Sequence, residues 1–161
     1  MTDFQPAAYY LPHESPMVLL ETVCAVEEEF AVCEVVVSPN GILAPFLNPQ
    51  GELPAWFAIE MMAQTIGVWN GWHGQQRNEE SHMGLLLGSR GFKTTLPRYP
   101  DGSRLRITAT MLLRDHKLAN FECQLEINGQ TVTQAKLNVY QPDLQEIQNL
   151  IQKPKTEDSI A

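Results

Sequence analysis

The stretch from Pro54 to His73 constrains the fold of this chain more than any other part of the sequence. Apolar residues fall on almost every side of it at helical spacing, so the pattern predicts a buried helix rather than a surface helix. Pro54 suits the first turn of such a helix, where its missing N–H would have no partner in any case. Glu60, Gln64 and Asn70 interrupt the apolar run, which argues against a membrane span.

Within that run stands one carboxylate, Glu60, with Gln64 four residues later and therefore on the same helix face. Apolar surroundings favour the neutral form of a carboxyl group and raise its pKa, which is how proteins prepare a general acid or base. Glu60 is therefore the leading candidate for a catalytic residue. The alternative is a glutamate that only ties the helix to its surroundings, and Gln64 either orients Glu60 or the substrate or is simply a satisfied amide.

Length and composition narrow the class of protein. The 161 residues, 43% apolar and 19% charged, predict one globular domain over 1–152 with a disordered tail over 153–161. Three cysteines without a CxxC pair favour reduced thiols in a cytoplasmic protein. No signal-peptide pattern and no long apolar run is evident. The net charge of −8 argues against binding to nucleic acid or to an anionic membrane.

Alternating patterns and turn signals predict strands on both sides of the helix. The predicted strands are 17–25, 30–37, 84–95, 104–113, 118–127 and 130–140. Asn128-Gly129 is the strongest hairpin signal, while Gly88 and Gly91 inside a strand suggest bulges. Gly71 and Gly74 are expected to end the buried helix, and a short amphipathic helix is predicted over 142–152. A helix that is apolar on all faces needs a curved antiparallel sheet around it and a second subunit over its remaining side.

Basic residues are concentrated in one part of the chain. Five of the eleven lie between positions 90 and 106, where Asp101 is the only acid: Arg90, Lys93, Arg98, Arg104 and Arg106. Charged residues commonly protect exposed sheet edges, and that is one interpretation. The other is a docking patch for an acidic partner or a phosphate-bearing carrier.

Of the four histidines, His13 is the best candidate for a base, because it lies in a loop made rigid by Pro12 and Pro16. A structural histidine that anchors this loop is the alternative. His73 at the helix end complements the helix dipole, whereas His82 and His116 lie in polar connectors. No pair of histidines has metal-ligand spacing, so neither a metal nor another cofactor is expected.

The start of the helix offers further candidate binding groups. The backbone N–H groups of Ala55 and Trp56 would lie at the positive end of the helix dipole, where they could stabilise a developing oxyanion; being merely capped or hydrated is the alternative. Met61 could line a channel for a flexible apolar substrate, although core packing is the more common role of a helix methionine. Trp56, Trp69 and Trp72 are more typical of core or dimer contacts than of substrate stacking.

Three motifs resemble those of the 3-hydroxyacyl-ACP dehydratases of fatty-acid synthesis. The sequence LPHESPMVLL at 11–20 is similar to the opening LPHRYPFLLVDRV of that family. IEMMAQ at 59–64 resembles the helix (I/V)E(A/S)(L/M)AQ that carries the catalytic carboxylate, and residues 92–106 resemble ARFRRPVVPGDQL more weakly. The order agrees over roughly residues 9–140. PHESPM, IEMMAQ and GLLLGSRGF look most like the smaller dehydratases of aryl polyene and related lipid pathways.

The resemblance implies an α+β hotdog fold, in which a curved antiparallel sheet wraps around one long buried helix. It implies a dimer that eliminates water from 3-hydroxyacyl thioesters on acyl carrier protein to give trans-2-enoyl thioesters. In that reaction Glu60 would protonate the departing hydroxyl group, and His13 would be its tentative partner. Arg90, Lys93, Arg98 and Arg104 would then dock the carrier protein.

One motif of the family is absent. Its main enzymes carry a catalytic histidine in a GHFPG loop just before the helix, whereas this chain has FLNPQGELP at 46–54. Either His13 supplies that role or the chain is a non-catalytic partner that stabilises an active dehydratase as a heterodimer. An acyl-CoA thioesterase on the same fold, with Glu60 activating water, is a third hypothesis.

Overall fold

The computed structural model describes residues 3–12, 16–77 and 85–140. These residues contain one α-helix, α1 (Phe57–Gln76), and two short 3-10 helices, Ala7–Tyr10 and Ala44–Phe46. The strands are β1 (Thr22–Val26), β2 (Phe30–Val36), β3 (Leu53–Pro54), β4 (Leu85–Thr94), β5 (Arg98–Tyr99), β6 (Arg104–Asp115), β7 (Leu118–Ile127) and β8 (Gln130–Tyr140). His13, the predicted helix 142–152 and the predicted tail 153–161 lie outside the described residues.

Six strands form one antiparallel sheet in the order β1-β2-β6-β7-β8-β4, and β3 pairs with β5. Along β6 the buried Leu105, Ile107 and Ala109 alternate with exposed or half-buried residues, because successive side chains of a strand point to opposite faces. The buried face contacts α1, whose Met61 and Met62 are completely buried in the same core cluster. The predicted α+β hotdog architecture is confirmed.

The limits of α1 differ from the prediction at both ends. The helix begins at Phe57 because Pro54 pairs with Arg98 and the Ala55 N–H donates to the Pro97 carbonyl oxygen at 3.0 Å, which holds the chain extended up to that point. At the other end Gly71 does not stop the helix, nor does Gly74, and α1 continues to Gln76.

The predicted strand 17–25 is also shorter in the structure. Only Thr22 onward belongs to β1, because the Met17 carbonyl and the Leu19 N–H bond to the side chain of Gln64 rather than to a neighbouring strand. A tertiary contact with the helix thus replaces the sheet pairing that the apolar pattern indicated.

The turn and bulge signals are confirmed. Asn128 (φ 52°) and Gly129 (φ 80°) both adopt the left-handed conformation that a tight β7–β8 hairpin requires. The pairing of β4 with β8 shifts register between Leu86 and Gly88 and again between Arg90 and Lys93, so the glycines mark two bulges.

The three cysteines are free thiols. Cys33 and Cys123 are buried on β2 and β7, and burial raises the pKa of each to about 12. Burial also raises the pKa of the half-buried Cys24, with a further contribution from Glu34. Protonated thiols of this kind pack as small apolar groups, and none has the lowered pKa of a catalytic cysteine.

Candidate active site

Glu60 lies in the first turn of α1 and is half-buried. Its Oε2 accepts a hydrogen bond from Gln64 Nε2 at 3.0 Å, one helical turn further on. The two residues that the sequence places on one helix face therefore make direct contact. Gln64 is itself only 1% exposed, so its side chain is held in place by the groups around it.

Those surrounding groups fix the orientation of the Gln64 amide. Gln64 Oε1 accepts from the Leu19 N–H at 2.9 Å, and Nε2 donates to the Met17 carbonyl oxygen at 2.7 Å. Because a backbone N–H only donates and a carbonyl only accepts, the amide has one orientation that satisfies both. That orientation directs the remaining N–H of Nε2 at Glu60, so the carboxylate is aimed by a side chain that is fully hydrogen-bonded.

The start of α1 supplies backbone donors close to Glu60. The Ala55 N–H is occupied by the Pro97 carbonyl, which corrects its predicted role as an oxyanion donor. The N–H groups of Trp56 and Phe57, by contrast, have no hydrogen-bond acceptor within the described part of the chain. They lie at the positive end of the helix dipole, where developing negative charge is stabilised.

Aromatic side chains border the same end of the helix. The Phe57 ring lies 5.3 Å from that of Phe46 and 6.1 Å from that of Trp56, measured between ring centroids. Trp56 is 70% exposed, an unusual state for an indole. Met61 is completely buried in the core, so the structure gives it a packing role in place of the predicted lining of an acyl channel.

The described histidines lie away from this site. His73 Nε2 is 2.8 Å from the Glu27 carbonyl oxygen, and Trp69 Nε1 donates to the same oxygen at 3.1 Å. His73 therefore ties the end of α1 to the β1–β2 turn rather than acting only on the helix dipole. His116 is exposed in the turn between β6 and β7, and His82, like His13, falls outside the described residues.

The basic residues of 90–106 do not form one patch. Arg98 pairs with Glu52 at 3.2 Å. Arg104 and Arg106 both pair with Glu34 on β2, at 3.4 and 2.9 Å, and the hydrogen bond to Glu34 raises the pKa of Arg106. Arg90 and Lys93 lie on the edge strand β4, three strand positions from β6 or roughly 14 Å.

Arg90 and Lys93 differ from the other three in their surroundings. Both are exposed, and neither forms an ion pair with any residue that the structure describes. Lys136 on β8 is paired with Arg90 in the sheet register, which adds a third positive charge on the same face. Two of the four predicted docking residues, Arg90 and Lys93, are thus without a described ion-pair partner, whereas Arg98 and Arg104 each pair with a carboxylate.

Within the described ranges, no group of three histidine, cysteine or acidic side chains is arranged to hold a metal ion. In the same ranges, no helix is both long and apolar enough to cross a membrane.

Sequence reasoning missed the groups that position Glu60. The Met17 carbonyl and Leu19 N–H are backbone atoms, which carry no signature in the sequence. The spacing of Gly67 and Gly71 on α1 was a usable signal, since both leave room for the N-terminal residues: a Cβ at Gly71 would lie 2.2 Å from the Tyr10 carbonyl oxygen. Gly71 was instead interpreted as a helix stop.

The fold and the helix-borne carboxylate together define a hotdog-fold enzyme of acyl-thioester chemistry, and comparison with known proteins narrows this class. The family model of the ApeP-like dehydratases matches residues 5–152. The 3-hydroxyacyl-(acyl-carrier-protein) dehydratase FabZ of Streptococcus pneumoniae (strain CGSP14) is 30% identical over 139 residues, which cover 80% of this chain and 90% of FabZ.

A solved structure described as the dehydratase heterocomplex ApeI:P from Xenorhabdus doucetiae matches with a TM-score of 0.87 and 47% identity, covering 94% of this chain and 100% of that one. A hypothetical thioesterase with coenzyme A from Streptococcus pneumoniae TIGR4 matches with a TM-score of 0.58 at 15% identity, covering 74% of this chain and 86% of that one. The second match shows the fold alone.

This chain belongs to the ApeP-like dehydratase family. Its chemistry is therefore the elimination of water. The family supports the dehydratase hypothesis and does not support the thioesterase hypothesis.

Proposed function

We propose that this chain dehydrates 3-hydroxyacyl thioesters carried on acyl carrier protein to trans-2-enoyl thioesters, in aryl polyene or similar acyl-chain synthesis. The observation that carries the proposal is Glu60, held by Gln64 at 3.0 Å beside the open N–H groups at the start of α1. Dehydration needs these two elements together: a group that delivers a proton to the leaving hydroxyl, and donors that stabilise the enolate oxygen.

The proposed steps use groups on both sides of the substrate. A base, for which His13 remains the candidate from the sequence, removes the proton at C2, and the electron pair moves toward the thioester carbonyl. The N–H groups of Trp56 and Phe57 stabilise the negative charge on that oxygen. Glu60 then gives its proton to the 3-hydroxyl group, the C3–O bond breaks, and water leaves as the C2–C3 double bond forms.

A second proposal concerns the partner subunit. At the edge of the described sheet lies β4, ten residues long, with exposed apolar side chains at Leu86, Leu87 and Phe92. An exposed edge of this length readily accepts another strand, and the exposed Trp56 offers further apolar surface. Because a similar structure is a heterocomplex and the 46–54 loop lacks histidine, we propose that β4 pairs with a second hotdog chain.

One assay separates the two roles. The purified chain is incubated with 3-hydroxyacyl-ACP, alone and together with a second hotdog chain, and the acyl-ACP mass is followed by mass spectrometry. We expect a loss of one water, and the reaction of the chain alone tells whether it is self-sufficient. Turnover that needs the second chain, and that survives loss of the Glu60 carboxylate, would instead make this chain a structural subunit.

Carrier docking is the third part of the proposal, and we place it at Arg90 and Lys93. Neither residue forms an ion pair with a residue that the structure describes. Lys93 is four residues before Pro97, whose carbonyl oxygen accepts a hydrogen bond from Ala55, two residues before α1. An acidic carrier protein bound there would deliver its thioester toward the helix start.

We expect the double variant Arg90→Glu/Lys93→Glu to raise KM for the acyl-ACP about tenfold, since two exposed charge contacts together contribute about 1.4 kcal/mol. The kcat should change little, because both residues lie on β4 and neither has a role in the proposed proton transfers. Arg114→Glu is the matched control, because it reverses an exposed charge near the C-terminal end of β6, outside the proposed docking site. An equal rise in KM for a substrate that lacks the carrier protein would contradict docking.

A further inference from the structure

The observation that leads furthest is a row of α1 residues that supports the N-terminal segment, defined here as residues 7–12 and 16–21. Glu60, Gln64, Gly67 and Gly71 are spaced by four, three and four residues, so they form one stripe along the helix. The carboxylate is at one end of this stripe and the two glycines are at the other. The N-terminal segment contacts the helix at Gln64, Gly67 and Gly71.

The glycines allow an approach that no side chain would permit. A Cβ at Gly71 would lie 2.2 Å from the Tyr10 carbonyl oxygen and 3.1 Å from the Tyr10 carbonyl carbon. A Cβ at Gly67 would lie 2.8 Å from Cδ2 of Leu11. Tyr10 and Leu11 are 6% and 9% exposed, so the segment is packed against the helix and has little room to shift.

The same segment holds the catalytic carboxylate through Gln64. Its Met17 carbonyl and Leu19 N–H fix the Gln64 amide, which donates to Glu60. A hydrogen bond from the Ala7 N–H to the Glu21 carbonyl oxygen at 3.0 Å joins the two parts of the segment.

We infer that Gly71, assisted by Gly67, is a positioning residue of the dehydratase site: it sets the N-terminal segment at the distance from α1 at which Gln64 aims Glu60. The inference rests on the proposed function of Glu60 and adds the residues that determine its orientation. Neither glycine touches substrate, and both act through the segment.

The test is Gly71→Ala, in which two effects of the new methyl group oppose each other. Helix propensity alone favours alanine, whereas the contact with Tyr10 requires the segment to move away. We expect kcat to fall on the order of 10²-fold with KM nearly unchanged, since small misplacements of a catalytic group have effects of that size. The methyl group of Gly67→Ala would meet only the end of the flexible Leu11 side chain, so this variant should lower kcat by less. It takes the place of Gly71→Ala if that variant does not fold.

A double-mutant cycle tests the route through Gln64. In a Gln64→Ala background, Gly71→Ala should cause little further loss of kcat. If the double variant instead loses kcat by the product of the two single-variant factors, the two residues act independently and the inference is wrong. Gly41→Ala is the matched control, because its nearest neighbours would lie at ordinary contact distance, 3.6 Å and beyond.

A readout independent of activity separates this inference from the proposed function. We expect amide hydrogen exchange at Leu19 to accelerate on the order of tenfold or more in Gly71→Ala, because its acceptor on Gln64 is displaced. Unchanged protection of Leu19 in a folded Gly71→Ala protein would overturn the inference. A wild-type chain that dehydrates nothing, either alone or with a second hotdog chain, would overturn the function of Glu60, while the exchange at Leu19 would still decide the inference about Gly71.

Discussion

Replacing Glu60 by glutamine is expected to reduce dehydration on the order of 10²–10⁴-fold, the usual contribution of a positioned general acid or base. The amide has the shape of the carboxyl group, and its oxygen can still accept the hydrogen bond that Gln64 Nε2 donates at 3.0 Å. The geometry of the site is thus retained, while the group loses the ability to give a proton to the leaving hydroxyl. Single-turnover mass spectrometry of 3-hydroxyacyl-ACP measures the change.

The control for this substitution is Glu122→Gln, which makes the same chemical change at an exposed position on β7. It should leave the rate unaltered, and the urea midpoints of both variants should stay near that of the wild type. Retained activity in a folded Glu60→Gln protein would remove Glu60 from the mechanism, and it would favour the structural-subunit role where that activity also needs the second hotdog chain.

The second large effect is expected from Gln64→Glu. At this position, 1% exposed, the new carboxylate would face the Met17 carbonyl oxygen and the Glu60 carboxylate in place of the N–H group that served both. The new carboxylate would be buried beside two acceptors and would offer neither of them a donor. An uncompensated buried charge lowers the free energy of unfolding by about 3–5 kcal/mol. We expect a matching fall in the free energy of unfolding, together with loss of dehydration.

Urea denaturation of Gln64→Glu beside Gln75→Glu checks this expectation. Gln75 is exposed near the end of the same helix, so its substitution adds the same charge to α1 without burying it. A Gln64→Glu protein as stable as the wild type would mean that the amide does not hold Met17 and Glu60 together.

Local signals in the sequence were sufficient for much of the fold. Asn128-Gly129 fixes the β7–β8 hairpin because only turn residues that tolerate positive φ fit there, and Gly88 and Gly91 mark bulges where the register shifts. These features depend on a few neighbouring residues. The apolar helix predicted the sheet around it for a different reason, since a helix buried on all sides must be covered.

The errors all involve contacts between residues distant in the sequence. Pro54 is kept out of the helix by its pairing with Arg98, and the Ala55 N–H is taken by Pro97. Gly71 does not end the helix, and its missing Cβ instead makes room for Tyr10. None of these partners is near its counterpart along the chain, so no window of sequence contains both.

The candidate site also contains one feature that the sequence could predict and one that it could not. The pairing of Glu60 with Gln64 follows from their spacing of four on a helix and was predictable. The single grouping of five basic residues was not preserved, because neighbours in sequence were distributed over β4, β5 and β6. Three of them pair with carboxylates: Arg98 pairs with Glu52, and Arg104 and Arg106 share Glu34. Spacing predicts contact within a helix, but not across a sheet.

The bare edge of β4 also has a consequence for how the chain is produced. Within the described residues no further strand pairs with this edge. There it presents a row of backbone donors and acceptors flanked by Leu86, Leu87 and Phe92, which is the kind of surface that drives aggregation. Lys93 and the two bulges limit this tendency and do not abolish it. If a second hotdog chain covers this edge, as proposed above, we expect the chain made alone and in excess to precipitate, and co-expression with that second chain to raise its soluble yield.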